Sequence, residues 1–289
     1  MLFLYSTSAL WGIGTGIWID WGAGVGDPGI AFIAPLVLGA AAPIGMFLWD
    51  NWDPLDKGVP SSIATGLTLG AVEGIAIAGT QWQATGHPGP NTWSNATKAG
   101  ITWGISTAGG VGGYFFGEFA KPDPRVLTFI ASGAGWGAVS GLLLGAGAES
   151  PQWVNGTATS GDGTSISPGD SFASGASVGG LVGYNVGIAA TGVLSLLNYV
   201  PSWRTQQAMW LGYLIGTVGG SLVYLFYIGQ PDVHHGMIAN SLGGLAGVGV
   251  AAALTANLKD TAKAWTPPFQ IGLAPTPYGG AAIAAYGSW

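Results

Sequence analysis

Apolar segments alternate with short polar stretches along most of this 289-residue chain, and small residues recur inside the segments at every fourth position. A spacing of four places such residues on one face of an α-helix. The helices predicted from this pattern span residues 3–20, 29–50, 60–81, 96–119, 125–147, 172–199, 204–229 and 235–258. The small-residue ladders comprise Ser8, Gly12 and Gly16; Gly66, Gly70 and Gly74; Gly133, Gly137, Gly141 and Gly145; and Gly212, Gly216 and Gly220.

The ladders also define an internal repeat. When Gly12, Gly70, Gly137 and Gly216 are aligned, each unit contains a helix, a polar loop, a second helix and a tight charged turn. Self-similarity of this kind is typical of a repeated supersecondary unit. We therefore predict one helical domain over residues 1–264 and an extended or strand-like C-terminal tail over 265–289. The four hairpin repeats of that domain cover residues 1–59, 60–124, 125–203 and 204–264.

Composition indicates that lipid surrounds these helices. Charged residues make up 7% of the chain, whereas about 25% is usual for a soluble domain. Disorder is excluded because the chain carries 14 Trp, 9 Tyr and 10 Phe, and disordered segments contain few aromatic residues. Most of the segments approach the ~20 residues that cross a bilayer core. The sequence therefore predicts an all-α integral membrane protein with about eight transmembrane helices.

The glycine ladders have a physical explanation in such a protein. A glycine inside a helix costs about 1 kcal/mol relative to alanine. Because no hydrophobic effect drives helices together in lipid, association depends on close backbone approach through small residues. The ladder glycines are therefore the predicted helix-packing residues, and the four faces are expected to pack around a common axis.

Charge and cysteine content exclude several classes of protein. The net charge is −6 and no cluster of basic residues occurs, which excludes a nucleic-acid partner. The chain has no cysteine, so disulfides and cysteine-based zinc sites are excluded. In an inner membrane the positive-inside rule would place the tight turns and both termini in the cytoplasm. Lys98 is on the opposite, long-loop side with acids such as Asp20, whereas six basic residues follow the rule: Lys57, Lys121, Arg125, Arg204, Lys259 and Lys263.

Glu73 is the one acidic residue near the middle of a predicted span. An ionisable side chain at that depth is costly and points to a pathway or a paired site. The repeat alignment places Thr15, Ser140 and Gly219 at the equivalent position. Glu73, Thr15 and Ser140 are therefore candidate pathway residues. The alternative is a neutral or hydrogen-bonded Glu73 that pairs with a Ser or Thr of a neighbouring helix.

Other candidate chemistry is sparse. His87, His234 and His235 fall on one side of the predicted membrane and are candidates for metal or pigment binding, with an interfacial location as the alternative. No acidic residue stands at the H-E-x-x-H spacing, and no nucleophile or nucleotide-binding motif occurs in a suitable context. We therefore predict no catalytic residue, no metal, no cofactor and no enzymatic activity.

Several segments of the chain resemble a group of bacterial membrane proteins. The segment SGAGWGAVSGLLLG (132–145), the hairpin repeat and the closing APTPYGGAAIAAYGSW resemble glycine-rich multispanning helical membrane proteins of unassigned function in Gram-negative, myxobacteria-like bacteria. The resemblance implies a location in the bacterial envelope and no activity. Residues 61–81 and 97–120 are poor in Leu and Phe, so they make weak stop-transfer segments. This favours the outer membrane over the inner membrane.

Two functions remain open at this point. The first is a non-enzymatic scaffold or subunit of a membrane assembly, with lipid and either copies of itself or other membrane subunits as partners. The second is a channel or transporter with a polar pathway at Glu73, Thr15 and Ser140. A third class, an intramembrane enzyme or pigment protein, needs a catalytic pair or buried ligands that the sequence does not offer.

Overall fold

The computed structural model describes residues 1–85, 92–148, 158–159, 165–166, 168–227, 234–260, 270–275 and 281–286. The α-helices within these ranges are α1 Leu2–Gly22, α2 Ile33–Trp52, α3 Val59–Ala84, α4 Asn95–Ala120, α5 Pro124–Ala148, α6 Pro168–Leu196, α7 Trp203–Gly220 and α8 His234–Thr255. Two 3₁₀ segments span Ile30–Phe32 and Ser221–Tyr227, and four short strands are β1 Ala158–Thr159, β2 Ser165–Ile166, β3 Gln270–Pro275 and β4 Ala281–Tyr286.

Consecutive helices pack as hairpins. The most extensive helix contacts join α1 with α2, α3 with α4, α5 with α6 and α7 with α8. The partners run antiparallel: in the first hairpin Gly12 lies against Leu38, whereas the later Gly16 lies against the earlier Pro35. The hairpins follow one another in space in chain order, since α1 packs on α3 and α4, α3 packs on α6, and α5 packs on α8.

Local sequence signals explain where the helices begin and end. Ser94 and Ser202 are the N-caps of α4 and α7, and each hydroxyl accepts a hydrogen bond from the backbone N–H three residues later. Proline occupies the first turn of α3, where its missing N–H costs nothing. Gly58 precedes α3 with a φ of +101°, a conformation that favours glycine. These signals set the tight turns that join the hairpins.

The last predicted hairpin differs from its observed form. The single helix predicted over 204–229 ends at Gly220 and continues as the 3₁₀ segment Ser221–Tyr227. The Ser221 hydroxyl has two acceptors within hydrogen-bond distance, Thr217 O at 3.3 Å and Asn240 Oδ1 on α8 at 3.1 Å. The tighter turn brings the Tyr224 ring against Gly236, where any larger residue would collide with it. Close approach at Gly236 therefore accompanies the change of helix type.

The helices carry a membrane-like surface. Among the described residues, seven helical segments are long and apolar enough to cross a bilayer, α4 not being among them. None of the 20 residues of α2 is buried, and large apolar side chains such as Phe32, Leu36 and Trp52 are exposed. A soluble protein rarely exposes apolar surface on this scale. The chain is therefore an integral membrane protein with an all-α membrane region.

The strands lie in the long connection and in the C-terminal tail. β1 pairs with β2, and β3 pairs with β4 in an antiparallel register that sets Gln270 opposite Tyr286. Both strands of the second pair fall within the predicted tail over 265–289.

Candidate functional site

Every ladder glycine lies against the backbone of the second helix of its own hairpin. A Cβ on Gly137 would overlap the Gly183 carbonyl, and one on Gly216 would overlap the Gly243 carbonyl. The same holds for the other predicted helix-packing glycines, which are Gly12, Gly16, Gly66, Gly70, Gly74, Gly133, Gly141, Gly212 and Gly220. These faces form four separate glycine seams, one inside each hairpin. The expectation that they pack around a common axis is wrong for the described residues, because each face is occupied by its hairpin partner.

A groove of about 560 Å³ lies between α1, α3 and α4. Its floor includes Leu67 and Ser106, which are buried, while Leu10 and Ile75 stand exposed at its rim. The remaining lining residues are Thr7, Trp11, Gly14, Ile17, Trp21, Thr68, Ala71, Val72, Ala78, Lys98, Ala99, Thr102 and Trp103. We call this feature the α1/α3/α4 groove.

The hydroxyl groups that line the groove are already hydrogen-bonded. Thr68 donates to Ala64 O at 2.8 Å, and Thr102 donates to Lys98 O at 3.0 Å. Ser106 on α4 donates to Leu67 O on α3 at 2.9 Å, which ties the two helices together. The wall of the groove therefore behaves as an apolar surface despite its threonines and serine.

Beside the groove, two tryptophans and two threonines make a reciprocal pair of hydrogen bonds. Trp11 Nε1 on α1 donates to Thr107 Oγ1 on α4, and Trp103 Nε1 on α4 donates to Thr15 Oγ1 on α1, both at 2.9 Å. Each threonine in turn donates to the carbonyl of the tryptophan four residues earlier. The candidate pathway residue Thr15 is therefore held in this helix contact.

The sequence contains a signal for this arrangement that lies outside the regular spacing of the glycine ladders. The pattern W-G-I-x-T occurs twice, at residues 11–15 and 103–107. In a helix its tryptophan and threonine are one turn apart on one face. Two antiparallel helices that both carry the pattern satisfy each other's indole N–H groups.

The second candidate pathway residue, Ser140, lies in the other half of the chain. Its hydroxyl is 3.0 Å from the Tyr213 hydroxyl on α7, and its backbone carbonyl accepts a hydrogen bond from Ser241 on α8. Ser140 is 2% exposed. It therefore joins three helices at a buried contact.

Glu73 is half-buried on α3 and makes no hydrogen bond with any described residue. The nearby Tyr184 on α6 donates its hydroxyl to Leu69 O at 2.7 Å. The α1/α3/α4 groove does not include Glu73, Thr15 or Ser140 among its lining residues. Thr15 and Ser140 thus lie at two separate helix contacts, and Glu73 takes part in neither.

Asp20 also differs from expectation. The sequence places Asp20, the last residue of the helix predicted over 3–20, with the acids of the long-loop side, whereas α1 extends to Gly22 and buries Asp20, which is 7% exposed. Its Oδ2 atom has no hydrogen-bond partner among the described residues. The predicted helix ends at Asp20 itself, so the sequence indicates an exposed helix end where the structure has a buried position one half-turn before the end.

Metal binding by the histidines finds no geometric support in the described residues. No group of three or more His, Cys, Asp or Glu residues that could hold a metal occurs in that part of the chain. The His234 and His235 rings lie 4.2 Å apart at the start of α8. His87 lies outside the described residues.

The basic residues differ in their partners. On the tight-turn side, Lys121 pairs with Asp56, and Arg125 pairs with Asp123 at 3.0 Å and Asp260 at 3.3 Å. The Asp56 carboxylate raises the pKa of Lys121, and hydrogen bonds from Arg125 lower the pKa of Asp123. Lys98, at one end of the groove, is half-buried and forms no ion pair with any described residue.

Comparison with known proteins found no matching family model, curated protein or solved structure. The resemblance to glycine-rich envelope proteins therefore stays a prediction.

Proposed function

We propose that this chain is a non-enzymatic integral membrane scaffold or a subunit of a membrane assembly, held rigid by its glycine seams. The proposal rests on one observation: polar side chains within the helices form hydrogen bonds between neighbouring hairpins. Trp11 pairs with Thr107 and Ser140 pairs with Tyr213, each across a contact between hairpins. A pathway for polar solutes needs such groups on an aqueous surface, whereas here they join helices.

The outer surface supports the same proposal. α2 contributes no buried residue, and it packs chiefly on α1. Its exposed apolar residues meet lipid or another membrane subunit. Because the glycine seams are occupied within the chain, contacts between chains use these outer faces instead.

A channel or transporter is the alternative, and one observation favours it. The half-buried Glu73 carboxylate has no hydrogen bond to a described residue, as expected of a group that exchanges ions or protons. Against it, Thr15 and Ser140 are engaged in separate contacts with Trp103 and Tyr213.

Reconstitution into liposomes distinguishes the two functions. Wild type, Glu73→Gln and the control Glu118→Gln are compared for ion and small-solute flux and for the size of the extracted particle. The scaffold proposal expects flux at the level of empty liposomes and an unchanged particle for all three. Wild-type flux that changes only in Glu73→Gln, with the particle intact, would identify a channel.

We also propose the outer membrane as the location. The low hydropathy of α4, which is not among the candidate spans, supports this proposal because weak stop-transfer segments pass the inner membrane. Fractionation of the two membranes is the test, and recovery with inner-membrane markers contradicts it.

A further inference from the structure

We propose that the α1/α3/α4 groove binds one acyl chain of an anionic phospholipid, with the headgroup held at Lys98. This site is additional to the scaffold role and does not depend on it.

The groove has about the depth of one leaflet along α4 and extends beyond one leaflet along α1. Along α1 the lining runs from Thr7 to Trp21, which corresponds to about 21 Å of helix. Along α4 it runs from Lys98 to Ser106, about 12 Å. One leaflet of the hydrocarbon core is roughly 15 Å thick, half of the full core. The end marked by Trp21 and Lys98 lies on the long-loop side, and the other end reaches past the middle of α1 to Thr7.

The groove is open to the bilayer from the side. Leu10 is 67% exposed and Ile75 is 62% exposed at the rim, whereas Leu67 on the floor is 7% exposed. An acyl chain can therefore enter laterally without separating the helices. The volume of about 560 Å³ also falls within the roughly 300–1,000 Å³ usual for ligand pockets.

The wall selects for an apolar occupant. The hydroxyls of Thr68, Thr102 and Ser106 are bonded to backbone carbonyls, and the Trp11 and Trp103 indoles are bonded to threonines. A polar solute would lose its hydration and find these partners occupied. A hydrocarbon chain has no such cost.

Lys98 supplies charge complementarity for an anionic headgroup. Its side chain forms no ion pair with a described residue, and it stands in the first turns of α4, which begins at Asn95. The positive end of the helix dipole disfavours a lysine at this place and favours an anion. A phosphate bound here interacts favourably with both the ammonium group and the helix N-terminus.

The test is native mass spectrometry of the full chain in mild detergent. The probe is an equimolar mixture of phosphatidylglycerol and phosphatidylcholine with identical acyl chains. Wild type is expected to retain phosphatidylglycerol about fivefold better, the equivalent of about 1 kcal/mol for one basic residue at an anionic lipid. Lys98→Gln is expected to retain the two lipids equally, while Lys57→Gln, a charge control in a tight turn, keeps the preference.

A second variant tests the acyl-chain part of the site. Ala71→Phe fills the groove and is expected to lower retention of both lipids, whereas Val186→Phe, on an exposed position of α6, leaves retention unchanged. Equal retention by wild type overturns the proposal, as does retention of free fatty acid without phospholipid. If Ala71→Phe fails to fold, the Lys98→Gln result alone decides.

Discussion

The two halves of the chain differ in a feature that lies between their hairpins: the first half has an open groove there, and the second half has a buried aromatic cluster. Around α1, α3 and α4 a groove of about 560 Å³ remains. Around α5 and α7, a cluster of Phe129, Trp136, Met209 and Tyr213 is almost completely buried. Both halves have the same glycine seams inside their hairpins. The difference therefore arises from the side chains between hairpins and not from the helix pairs themselves.

Two tryptophans at equivalent repeat positions show the difference at atomic level. Trp11 precedes Gly12 and bonds Thr107 across the contact. Trp136 precedes Gly137, is 4% exposed and packs on Trp210, but its Nε1 has no hydrogen-bond partner among the described residues. Trp11 thus makes a directional contact beside the groove, whereas Trp136 is densely packed and its buried indole N–H stays unpaired among the described residues.

The largest loss of stability is expected when a glycine of a seam is enlarged, and the seams are the feature that both halves share. Gly137→Leu should abolish the folded particle, because even a Cβ would overlap the Gly183 carbonyl. Overpacking costs about 1–3 kcal/mol in ordinary cores, and a backbone contact has less room to relax. Size-exclusion chromatography of the extracted protein measures the loss. Gly219→Leu is the control, since a Cβ there meets open space; equal loss for both would refute the seam.

The second largest effect is expected when an alanine is enlarged, and its cost in stability should differ between the two halves. Ala134→Leu is expected to destabilise the protein by about 1–3 kcal/mol, because Ala134 is 2% exposed in the second half. Ala71→Leu should cost much less, since it projects into the groove. Thermal unfolding in detergent compares the two. A cost as large at Ala71 as at Ala134 would mean that the groove is closed in the folded protein.

The two equivalent tryptophans should respond differently to loss of the indole N–H. Trp11→Phe removes the bond to Thr107 and should cost about 1 kcal/mol, in the range of hydrogen bonds between membrane helices. Trp136→Phe removes a buried unpaired donor, so part of its packing loss should be offset. Unfolding free energies of the two variants test this. A larger cost for Trp136→Phe would show that packing outweighs the hydrogen bond.

The smallest effect is expected outside the membrane spans. Arg125 holds the pKa of Asp123 below its ordinary value of 3.8, so the resulting stabilisation is present above that value and is lost as the pH falls through the lowered pKa. Asp123 is well exposed, and Asp123→Asn should cost less than about 1 kcal/mol at neutral pH. Melting temperatures of wild type and variant should converge in acid; a gap that widens in acid contradicts this assignment.

Sequence periodicity could predict the helices because lipid imposes both a length and an apolar surface on them. Gly137 and Gly216 were found from spacing alone, and both lie against a partner backbone. The partner of each glycine face could not be read from spacing, because a seam within a hairpin and a seam at a common axis need the same residues. Only the observed contact between each glycine face and its hairpin partner distinguishes the two arrangements.

The groove could not be predicted from the sequence. It depends on where three helices leave space, and its lining residues Ala71 and Thr102 are ordinary members of apolar helices. Thr15 and Ser140 were noticed as polar residues at one level of the repeat, yet their partners Trp103 and Tyr213 lie 88 and 73 residues away. Only the repeated W-G-I-x-T pattern offered a direct clue to such a contact.

The scaffold or subunit proposal is tested most directly by the mass of the protein component of the gently extracted particle. We expect a mass above the 29.1 kDa of one chain, either as a multiple of it or with other polypeptides present. A particle that contains a single chain, at every protein concentration and in several mild detergents, would contradict it.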